Sequence, residues 1–414
     1  MFEVRYKSHH EVKNIINNSL KKNVGTSIGF NKILNLDPRN NQCGIYVHTP
    51  YCDKICSFCN MNRKQVNKSL DNYANYLCKE FKKYGERKYV KGKEISVVFF
   101  GGGTPTVYKK EELEKILSAL KKNFKFSKDC EITFESTIHN LSIEKLKIME
   151  KYGVNRISIG VQTFSNRGRK LLNRTYDKET VIEKLKNIRN NFNGALCIDI
   201  IYNYPGETME ELEEDAKILC ELKVDSSSFY SLMIQGGSKI AKERAEDKIL
   251  FKYSLKRDME LHNRFLELTL NNGYKVLEHT KISNGNDEYK YINNINRCKN
   301  LLAIGNGAGG RVEDIEYYNL NSVVSFYSRD SEFKYNLKKL SGIMQFKSVN
   351  LSEIQNLSGR HYREVYKLLQ NMEEKGLIEM SDSSYTYTID GVFWGNSITA
   401  KVIEFLIQLE ERKL

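Results

Sequence analysis

Residues 43–63 read CGIYVHTPYCDKICSFCNMNR, and this stretch joins an apolar segment to a tight group of cysteines. Its first seven residues, CGIYVHT, have the composition of a buried β-strand. Cys52, Cys56 and Cys59 follow at the spacing C-x3-C-x2-C. The stretch therefore predicts a group of thiol ligands placed directly after a strand.

The same strand opens a regular alternation that continues to about residue 240, in which six predicted strands alternate with five predicted amphipathic helices. The predicted strands are CGIYVHT, EISVVFFGGG, CEITFES, RISIGVQTF, ALCIDIIYNYPG and SSSFYSLMI. Alternation at this spacing requires parallel strands joined by right-handed crossovers, so a doubly wound sheet or a complete or partial barrel would fit. In both folds ligands bind at the carboxyl ends of the strands, where the cysteines lie.

Four segments of different character follow from this pattern. Residues 1–42 are polar and partly helical in pattern, and residues 43–240 carry the alternation. Residues 241–340 contain a predicted helix and a glycine-rich apolar turn, LLAIGNGAGGRV, and we expect them to complete the barrel and its substrate site. Residues 341–414 show short helices followed by a β-hairpin, which resembles a winged helix.

Composition limits the class of protein. The chain of 414 residues has no apolar run of about 18 residues, so we expect no membrane span. Its charged N-terminal residues lack a secretory signal, and an odd number of cysteines, nine, argues against a disulfide framework, so we expect a cytoplasmic protein. The net charge of +13 indicates either a lysine-rich solvated surface or an anionic partner. Without a dense basic block or a nucleic-acid motif, we expect no nucleic acid.

Three closely spaced cysteines admit two kinds of metal site. Structural zinc takes four tetrahedral ligands, but the candidate fourth ligand, His48, precedes Cys52 on the same strand, and no second cysteine pair follows. A [4Fe–4S] cluster normally takes four thiolates. Three thiolates would leave one iron open to a substrate or cofactor, and we favour this interpretation.

Beyond these chemical arguments, the chain resembles the radical S-adenosylmethionine (SAM) enzymes. The cysteine spacing after a first strand, with Phe58 before the third cysteine, is typical of them. YVHTPYC, GGGTPT, GVNRISIGVQTF and DIIYNYPGET resemble motifs of their coproporphyrinogen-dehydrogenase-like subfamily. The resemblance implies an α/β fold, a partial (β/α)6 radical SAM barrel with a C-terminal winged-helix-like domain. It also implies that SAM binds the open iron of a [4Fe–4S] cluster and is cleaved to a 5′-deoxyadenosyl radical.

The motif residues also have a chemical interpretation of their own. Successive glycines at 101–103 let backbone N–H groups approach a polar ligand closely, or form a plain tight turn. Glu135 and Asp199, near strand ends, could accept hydrogen bonds from an amine or a ribose hydroxyl, or serve as helix caps or surface carboxylates. Gln162 is costly to bury unless its amide is paired, and Arg174 could face a carboxylate or be an exposed loop cation.

The subfamily binds two SAM molecules in one active site, and the resemblance assigns contacts to both. The residues implied for the cluster-bound SAM are Tyr46, Gly102 and Glu135. Those implied for the second SAM are Phe58, Gly103, Thr104, Gln162, Arg174 and Asp199. Met233 and Ala308 are carried over from segments that match more loosely. Cys52, Cys56 and Cys59 are implied as metal ligands and, through the cluster, as catalytic residues.

Departures from the subfamily pattern narrow the function. Coproporphyrinogen dehydrogenases carry a further cysteine where this chain has Met61, and haem-chaperone-like members begin close to the triplet, whereas about fifty residues precede it here. Three segments, EHTKISNGNDEYKYIN, LLAIGNGAGG and IDGVFWGNSI, resemble the anaerobic haem-degrading radical SAM methyltransferases, the anaerobilin synthases. This resemblance implies methylation and opening of haem to a linear tetrapyrrole with release of iron.

In the implied course the deoxyadenosyl radical takes hydrogen from the methyl group of the second SAM, and the resulting carbon radical adds to a meso carbon of haem. The partners are then haem as substrate and a low-potential electron donor such as flavodoxin or ferredoxin. His279 could contact iron or a propionate, or be merely hydrogen-bonded, and we expect Trp394, the single tryptophan, to pack in the core of the small domain. The alternatives are methyl transfer to another aromatic substrate, a haem carrier, and a coproporphyrinogen-dehydrogenase-like oxidoreductase.

Overall fold

The computed structural model describes residues 2–20, 23–61 and 63–411, and its core is one large mixed sheet covered by helices. The chain begins with three short elements, α1 (His9–Ser19), β1 (Asn23–Val24) and α2 (Ser27–Leu34). The helix α1 opens on a capping box in which Ser8 and Glu11 bond each other's backbone. These elements belong to the predicted N-terminal extension, which is helical in part as expected.

The barrel wall follows, and its strands alternate with helices as predicted. In chain order its elements are β2 (Gln42–Thr49), β3 (Tyr51–Cys52), β4 (Lys64–Gln65), α3 (Ser69–Gly85), α4 (Lys88–Lys91), β5 (Glu94–Gly102), α5 (Lys110–Asn123), β6 (Phe126–Ser136), α6 (Ile143–Lys151), β7 (Arg156–Gln162), α7 (Asn166–Leu171), α8 (Lys178–Asn191), β8 (Ala195–Tyr202), α9 (Met209–Glu221) and β9 (Ser226–Ser231). Strands β2, β5, β6, β7, β8 and β9 are parallel and adjacent in this order. In a doubly wound sheet the spatial order of the strands reverses at one point. Here it never reverses, so the predicted partial barrel is confirmed.

Alternation along the wall strands separates a dry outer face from a polar lumen. Because successive side chains of a strand point to opposite faces, Ile157 and Ile159 of β7 pack in the hydrophobic core beneath the helices. Ser158, between them, faces inward and lies opposite Glu135 of β6. The lumen is therefore lined by polar side chains, whereas the core lies between the sheet and the surrounding helices.

Residues 239–343 extend the sheet on both sides of the wall. Their elements are α10 (Lys239–Ala245), α11 (Leu255–Asn271), β10 (Lys275–Glu278), β11 (Lys281–Ser283), α12 (Lys290–Asn296), β12 (Leu301–Ile304), β13 (Gly309–Val312), β14 (Ile315–Asn319), β15 (Ser325–Arg329) and α13 (Glu332–Ile343). Strands β11 and β10 continue the sheet beyond β9, and β12 pairs in parallel with β2. The prediction of a plain turn over LLAIGNGAGGRV is wrong in part, because LLAI pairs with β2 and GGRV pairs with β14.

The amino end of the barrel is closed by a buried ion pair and by α12. Arg156 of β7 donates from Nε to both carboxylate oxygens of Asp287 at 3.0 and 2.9 Å, and each side chain is only 2% exposed. Tyr291 of α12 stacks on Phe99 of β5, with ring centroids 4.2 Å apart. Ligands therefore have access to the lumen from the carboxyl ends of the strands, as the fold class predicts.

The last part of the chain has the element order of a winged helix. After α13 come β16 (Ser348–Asn350), α14 (Leu351–Ser358), α15 (Tyr362–Glu374), β17 (Ile378–Met380), β18 (Ser384–Tyr387) and α16 (Ile389–Glu411). The three strands form a small antiparallel sheet in the order β16–β18–β17, which confirms the predicted winged-helix-like domain. Helix α16 lies against α1 and α11. Within the described ranges, no helix has the length and apolar character needed to cross a bilayer.

The residues before α1 are fixed by charge to the carboxyl end of β9. Arg5 pairs with Asp258 of α11, with Nη1 and Oδ2 2.7 Å apart and both side chains nearly inaccessible. Lys7 Nζ donates to the hydroxyl of Ser231 at 3.0 Å and to the carbonyl of Leu232 at 3.2 Å. The N-terminal segment thus lies beside the mouth of the barrel.

Candidate active site

The three cysteines lie in one loop that follows β2 at the carboxyl end of the barrel. The base of this loop is closed by the pairing of β3 with β4, where the backbone N–H of Lys64 donates to the carbonyl of Pro50 at 2.6 Å. Its side is held by α7, because the Ser57 hydroxyl donates to the carbonyl of Leu171 at 2.7 Å. The loop is therefore fixed at two places while its thiols remain at the mouth of the lumen.

Each thiol of the loop is free of disulfide bonds. The hydroxyl of Thr104 donates to Cys52 Sγ at 3.6 Å, and Arg174 Nη1 donates to Cys56 Sγ at 2.8 Å. Burial raises the pKa values of the Cys52 and Cys59 thiols above their usual range. Binding to a metal would therefore have to supply the free energy that keeps these two thiols deprotonated.

The donor chemistry of the cysteine loop fits a [4Fe–4S] cluster held by three thiolates. Three free thiols belong to one short segment, and none of the other six cysteines of the chain lies in it. Across the residues that the structure describes, no three Cys, His, Asp or Glu side chains converge on a single metal position. The fit therefore rests on the kind and number of ligands and on the fixed loop, and not on the directions of the thiols.

The glycine turn after β5 packs directly against the cysteine loop. Gly102 has φ of +114°, and a Cβ atom there would lie 2.7 Å from the ring of His48. A Cβ atom on Gly103 would lie 2.4 Å from the carbonyl oxygen of Tyr51 and 3.0 Å from Cys52 Sγ. Only glycine lets this backbone approach the cysteines so closely.

Tyr46 forms an aromatic side of the mouth. Its hydroxyl is hydrogen-bonded to Nδ1 of His48 at 2.8 Å, and its ring lies beside the stacked pair of Phe99 and Tyr291, with centroids 6.2 and 6.3 Å away. Burial lowers the pKa of His48 to about 4, so this imidazole is neutral at pH 7. The half-buried Tyr46 is thereby held in one orientation without a charged neighbour in its hydrogen bond.

Two carboxyl groups face the lumen from strands β6 and β8. Glu135 accepts a hydrogen bond from the backbone N–H of Gly102 at 3.0 Å, and Asp199 accepts one from the hydroxyl of Ser158 at 3.4 Å. Burial, and then the charge of Asp199, raise the pKa of Glu135 to about 7. Burial also raises the pKa of Asp199. The site therefore has two acidic groups whose charge a bound cation or amine would stabilise.

Gln162 and Arg174 lie on the β7 side of the mouth. Gln162 ends β7 with φ of +77°, a rarely populated conformation for a residue with a side chain, and it is nearly buried. Arg174 donates from Nη2 to the carbonyl of Gly160 in a short hydrogen bond. Because its other terminal nitrogen contacts Cys56, this guanidinium links the barrel strand to the cysteine loop.

Most of the residues implied by the resemblance lie at this end of the barrel. Those that the structure places around the cysteine loop and the strand ends are Tyr46, Phe58, Gly102, Gly103, Thr104, Glu135, Gln162, Arg174, Asp199 and Met233. Ala308 follows β12 and is fully buried in the hydrophobic core. Their roles as SAM contacts stay predictions.

His279 and Trp394, the two aromatic candidates outside the barrel motifs, do not lie with the other predicted site residues. His279 is 3% exposed and packs against α16, where a Cβ atom on Gly395 would lie 2.1 Å from its ring. Trp394, on the same helix, is buried and meets the ring of Phe2 at a tilt and that of Phe393 edge to face. The structure thus does not bring His279 to the other predicted site residues, and Trp394 packs in the interior.

Sequence reasoning missed one ionisable residue of the lumen, Lys281 of β11. Its ammonium donates to the hydroxyl groups of Ser228 and Tyr230 at 2.7 and 2.9 Å. In the sequence this residue appears only as a lysine beside Ile282 in the short segment HTKIS. This pattern does not distinguish a buried lysine from a lysine on an edge strand. The lumen therefore contains a cation close to its two carboxyl groups.

A wide surface cavity lies away from this chemistry. It has a volume of about 860 Å3 and is lined by residues such as Gln42, which begins β2, and Asn300, which precedes β12. It therefore lies at the amino end of these parallel strands and includes none of the predicted site residues. Strand ends and chemical groups, rather than cavity size, identify the candidate site.

Comparison with known proteins defines the class. Residues 46–219 match the family described as the Radical SAM superfamily, and this range includes the cysteine loop, the glycine turn and both lumen carboxyl groups. This part of the chain is a radical SAM domain, and such a domain implies a [4Fe–4S] cluster and SAM. The candidate site therefore lies within a radical SAM domain.

Within this class, the chain has a HemN-like fold. It resembles the solved structure of coproporphyrinogen III oxidase (HemN) from Escherichia coli with a TM-score of 0.76 and 19% identity, over 96% of this chain and 99% of that one. It is similar to the heme chaperone HemW of Lactococcus lactis, at 27% identity over 82% of this chain and 93% of the relative. It is also similar to the anaerobilin synthase of Escherichia coli O157:H7, at 23% identity over 87% of this chain and 84% of the relative.

Proposed function

We propose that this protein degrades haem without oxygen, by SAM-dependent methylation and opening of the porphyrin to a linear tetrapyrrole with release of iron. One observation carries the proposal: polar groups suited to SAM lie on two sides of the same mouth. Tyr46 and Glu135 lie on the β2–β6 side, and Arg174 and Asp199 lie on the β7–β8 side. Two bound SAM molecules would provide one radical source and one carbon donor. The similarity to an anaerobilin synthase over most of the chain supports the choice of haem.

The first group of residues would bind the SAM that is cleaved. Cys52, Cys56 and Cys59 would hold the cluster, which supplies the electron for cleavage when it is bound. Glu135 would accept hydrogen bonds from the methionyl amine, whose positive charge stabilises the ionised carboxylate in the buried lumen. Gly102 has no side chain, so its backbone could approach the same ligand closely.

The second group would orient the SAM whose methyl group is transferred. Arg174 is a fixed guanidinium at the mouth and would bind the methionyl carboxylate. Asp199 would accept a hydrogen bond from a ribose hydroxyl, and Phe58, packed among apolar residues, would border the adenine. The closed amino end of the barrel restricts access to the lumen, which limits side reactions of a carbon radical.

The substrate and the electron donor would approach from the same end. Haem carries two propionates, and the net charge of +13 favours the approach of an anionic substrate and of an acidic low-potential protein such as a flavodoxin or ferredoxin. Met61, where coproporphyrinogen dehydrogenases carry another cysteine, is half exposed at the edge of the loop. The proposal therefore uses three thiol ligands and no fourth.

The test is an oxygen-free assay of cluster-loaded protein with SAM, haem and a low-potential reductant. We expect bleaching of the Soret band together with release of 5′-deoxyadenosine and S-adenosylhomocysteine. In Cys56→Ser we expect loss of the cluster absorbance, of Soret bleaching and of both released products, because the cluster loses one of its three ligands. Cys220→Ser, on the outer helix α9, is the matched control and should keep them.

A second candidate, haem transfer without degradation, is favoured by the similarity to a heme chaperone. It predicts that haem binds and keeps its Soret band, and that 5′-deoxyadenosine is not released. SAM cleavage with unchanged haem would instead indicate a different methyl acceptor. Either result would contradict haem degradation.

A further inference from the structure

Lys281 is a buried cation inside the carboxyl end of the barrel. It begins β11 and lies opposite Ser228 of β9, which in turn lies opposite Asp199 of β8. The residue is 7% exposed, and its ammonium donates to the hydroxyl groups of Ser228 at 2.7 Å and Tyr230 at 2.9 Å. Lys281 is therefore at the same level of the lumen as Asp199.

The charge of Lys281 has no ion-pair partner in the described part of the chain. Its ammonium has three N–H donors, and the two acceptors found for it are neutral hydroxyl groups. Glu135, Asp199 and Glu278 lie close enough to influence it electrostatically, but none approaches within the 4.0 Å of an ion pair. One donor of the ammonium is thus left for a further acceptor.

The other lumen cation shows a different arrangement. At the amino end, the guanidinium of Arg156 is fully matched in charge by Asp287, with a contact of 2.9 Å between Nη2 and Oδ2. A buried charge without a direct counter-charge is unfavourable, and aromatic faces such as that of Tyr289, 5.1 Å from Lys281 Nζ, offset only part of this cost. Arg156 therefore has a directly bonded counter-charge, whereas Lys281, level with Asp199, has no carboxylate within ion-pair distance among the described residues.

We infer that Lys281 binds a carboxylate of a ligand seated in the lumen, through its remaining N–H donor. This inference rests on the proposed function, which brings two carboxylate sources to the mouth: the methionyl group of SAM and the propionates of haem. Both have the same recognition chemistry, a charge-assisted hydrogen bond from an ammonium. A carboxylate at this position would give Lys281 the direct ion pair that the described residues of the protein do not provide.

The test compares Lys281→Gln with the matched control Lys275→Gln, since Lys275 is an exposed lysine on β10 of the same hairpin. Equilibrium dissociation constants of cluster-loaded protein are measured for SAM, for haem and for haem dimethyl ester, without reductant. If the ligand is a propionate, Lys281→Gln weakens haem binding about tenfold and leaves the ester unchanged. If the ligand is the methionyl carboxylate, the same variant weakens SAM binding about tenfold and leaves haem unchanged.

Equal affinities of the two variants for both SAM and haem would overturn the inference. If wild-type protein binds no haem, the proposed substrate fails, but the SAM arm still decides the role of Lys281. Should the glutamine variant fold poorly by its melting curve, Lys281→Met takes its place, because it keeps the length of the side chain and removes the charge. A purely structural lysine would lower the melting temperature in Lys281→Met and leave the ligand-induced shift of that temperature unchanged.

Discussion

Glu135 shows at the scale of one residue how the barrel changes the chemistry of a common side chain. The carboxyl group is turned into the lumen, where it has lost most of its water and lies near a second acid, Asp199. The backbone N–H of Gly102 stabilises its charge only in part. Its pKa of about 7, against an ordinary value of 4.5, means that neutral pH is where it changes charge.

We predict that Glu135→Gln gains stability over the wild type as pH rises. Between pH 4.5 and 7 the unfolded chain releases the proton of Glu135 while the folded protein retains it, so ionisation favours unfolding of the wild type. Glutamine removes this effect. Chemical denaturation should show that the difference in unfolding free energy between variant and wild type is about 2 kcal/mol larger at pH 8 than at pH 5.

Glu111→Gln, on the exposed surface of α5, should show no such change. A constant difference between Glu135→Gln and the wild type at the two pH values would contradict the raised pKa. The same variant should also lose affinity for SAM if Glu135 accepts the methionyl amine.

The local sequence was sufficient to predict some of the site residues but not others. The cysteine loop and the glycine turn are contiguous motifs, so their neighbours in the fold are also neighbours in the sequence. Lys281 depends on a contact with Ser228, 53 positions away, and on the register between β11 and β9. Three residues of strand carry too little periodicity to show which face is inward.

At the scale of elements, the contact between α16 and the β10–β11 turn depends on a glycine, Gly395, which has no side chain. Gly395 lies on a face of α16 that touches the ring of His279, and a Cβ atom there would lie 2.1 Å from it. The imidazole also meets the ring of Tyr387 edge to face, at 4.7 Å between centroids. Burial lowers the pKa of His279 to about 3, so the neutral ring packs as an aromatic group.

We predict that Gly395→Ala destabilises the protein by about 2 kcal/mol, because the added methyl group overpacks this contact. In the double variant His279→Ala with Gly395→Ala, the methyl group has room, so the combined loss should be smaller than the sum of the single losses. Urea denaturation of the four proteins measures this coupling. Gly236→Ala, where a Cβ atom meets nothing within 4 Å, is the control.

Additive losses in the double variant would show that Gly395 and His279 do not act through one contact.

The sequence predicted the six wall strands and five helices, because their apolar periodicity is long and regular. It did not predict β12 to β15 as part of the same sheet, because glycines interrupt their short apolar runs. Their assignment depends on pairing with β2, which lies far away along the chain.

For the whole molecule, the segment before α1 connects the barrel mouth to the C-terminal helix. Arg5 pairs with Asp258, lies 3.9 Å above the ring of Phe393 and donates to its backbone carbonyl. Burial alone would raise the pKa of Asp258, but Arg5 and Lys7 more than offset it, so this pKa lies below its usual range. The pair is thus charged at neutral pH and holds three parts of the fold together.

We predict that Asp258→Ala destabilises the protein by about 3 kcal/mol, because it leaves Arg5 charged and buried without a partner. Release of residues 2–20 should follow, with faster tryptic cleavage at Lys13 than in the wild type. Limited proteolysis with mass spectrometry detects this cleavage, and denaturation measures the stability. Glu260→Ala, on the exposed side of the same helix, should change neither.

Unchanged cleavage and stability in Asp258→Ala would show that the ion pair is not what holds this segment.

The contact between Arg5 and Phe393 joins positions 388 apart. Contacts of such long range form late, because a very large loop must close first. Helix α1 can therefore dock on α16 only after the chain between them has been synthesised.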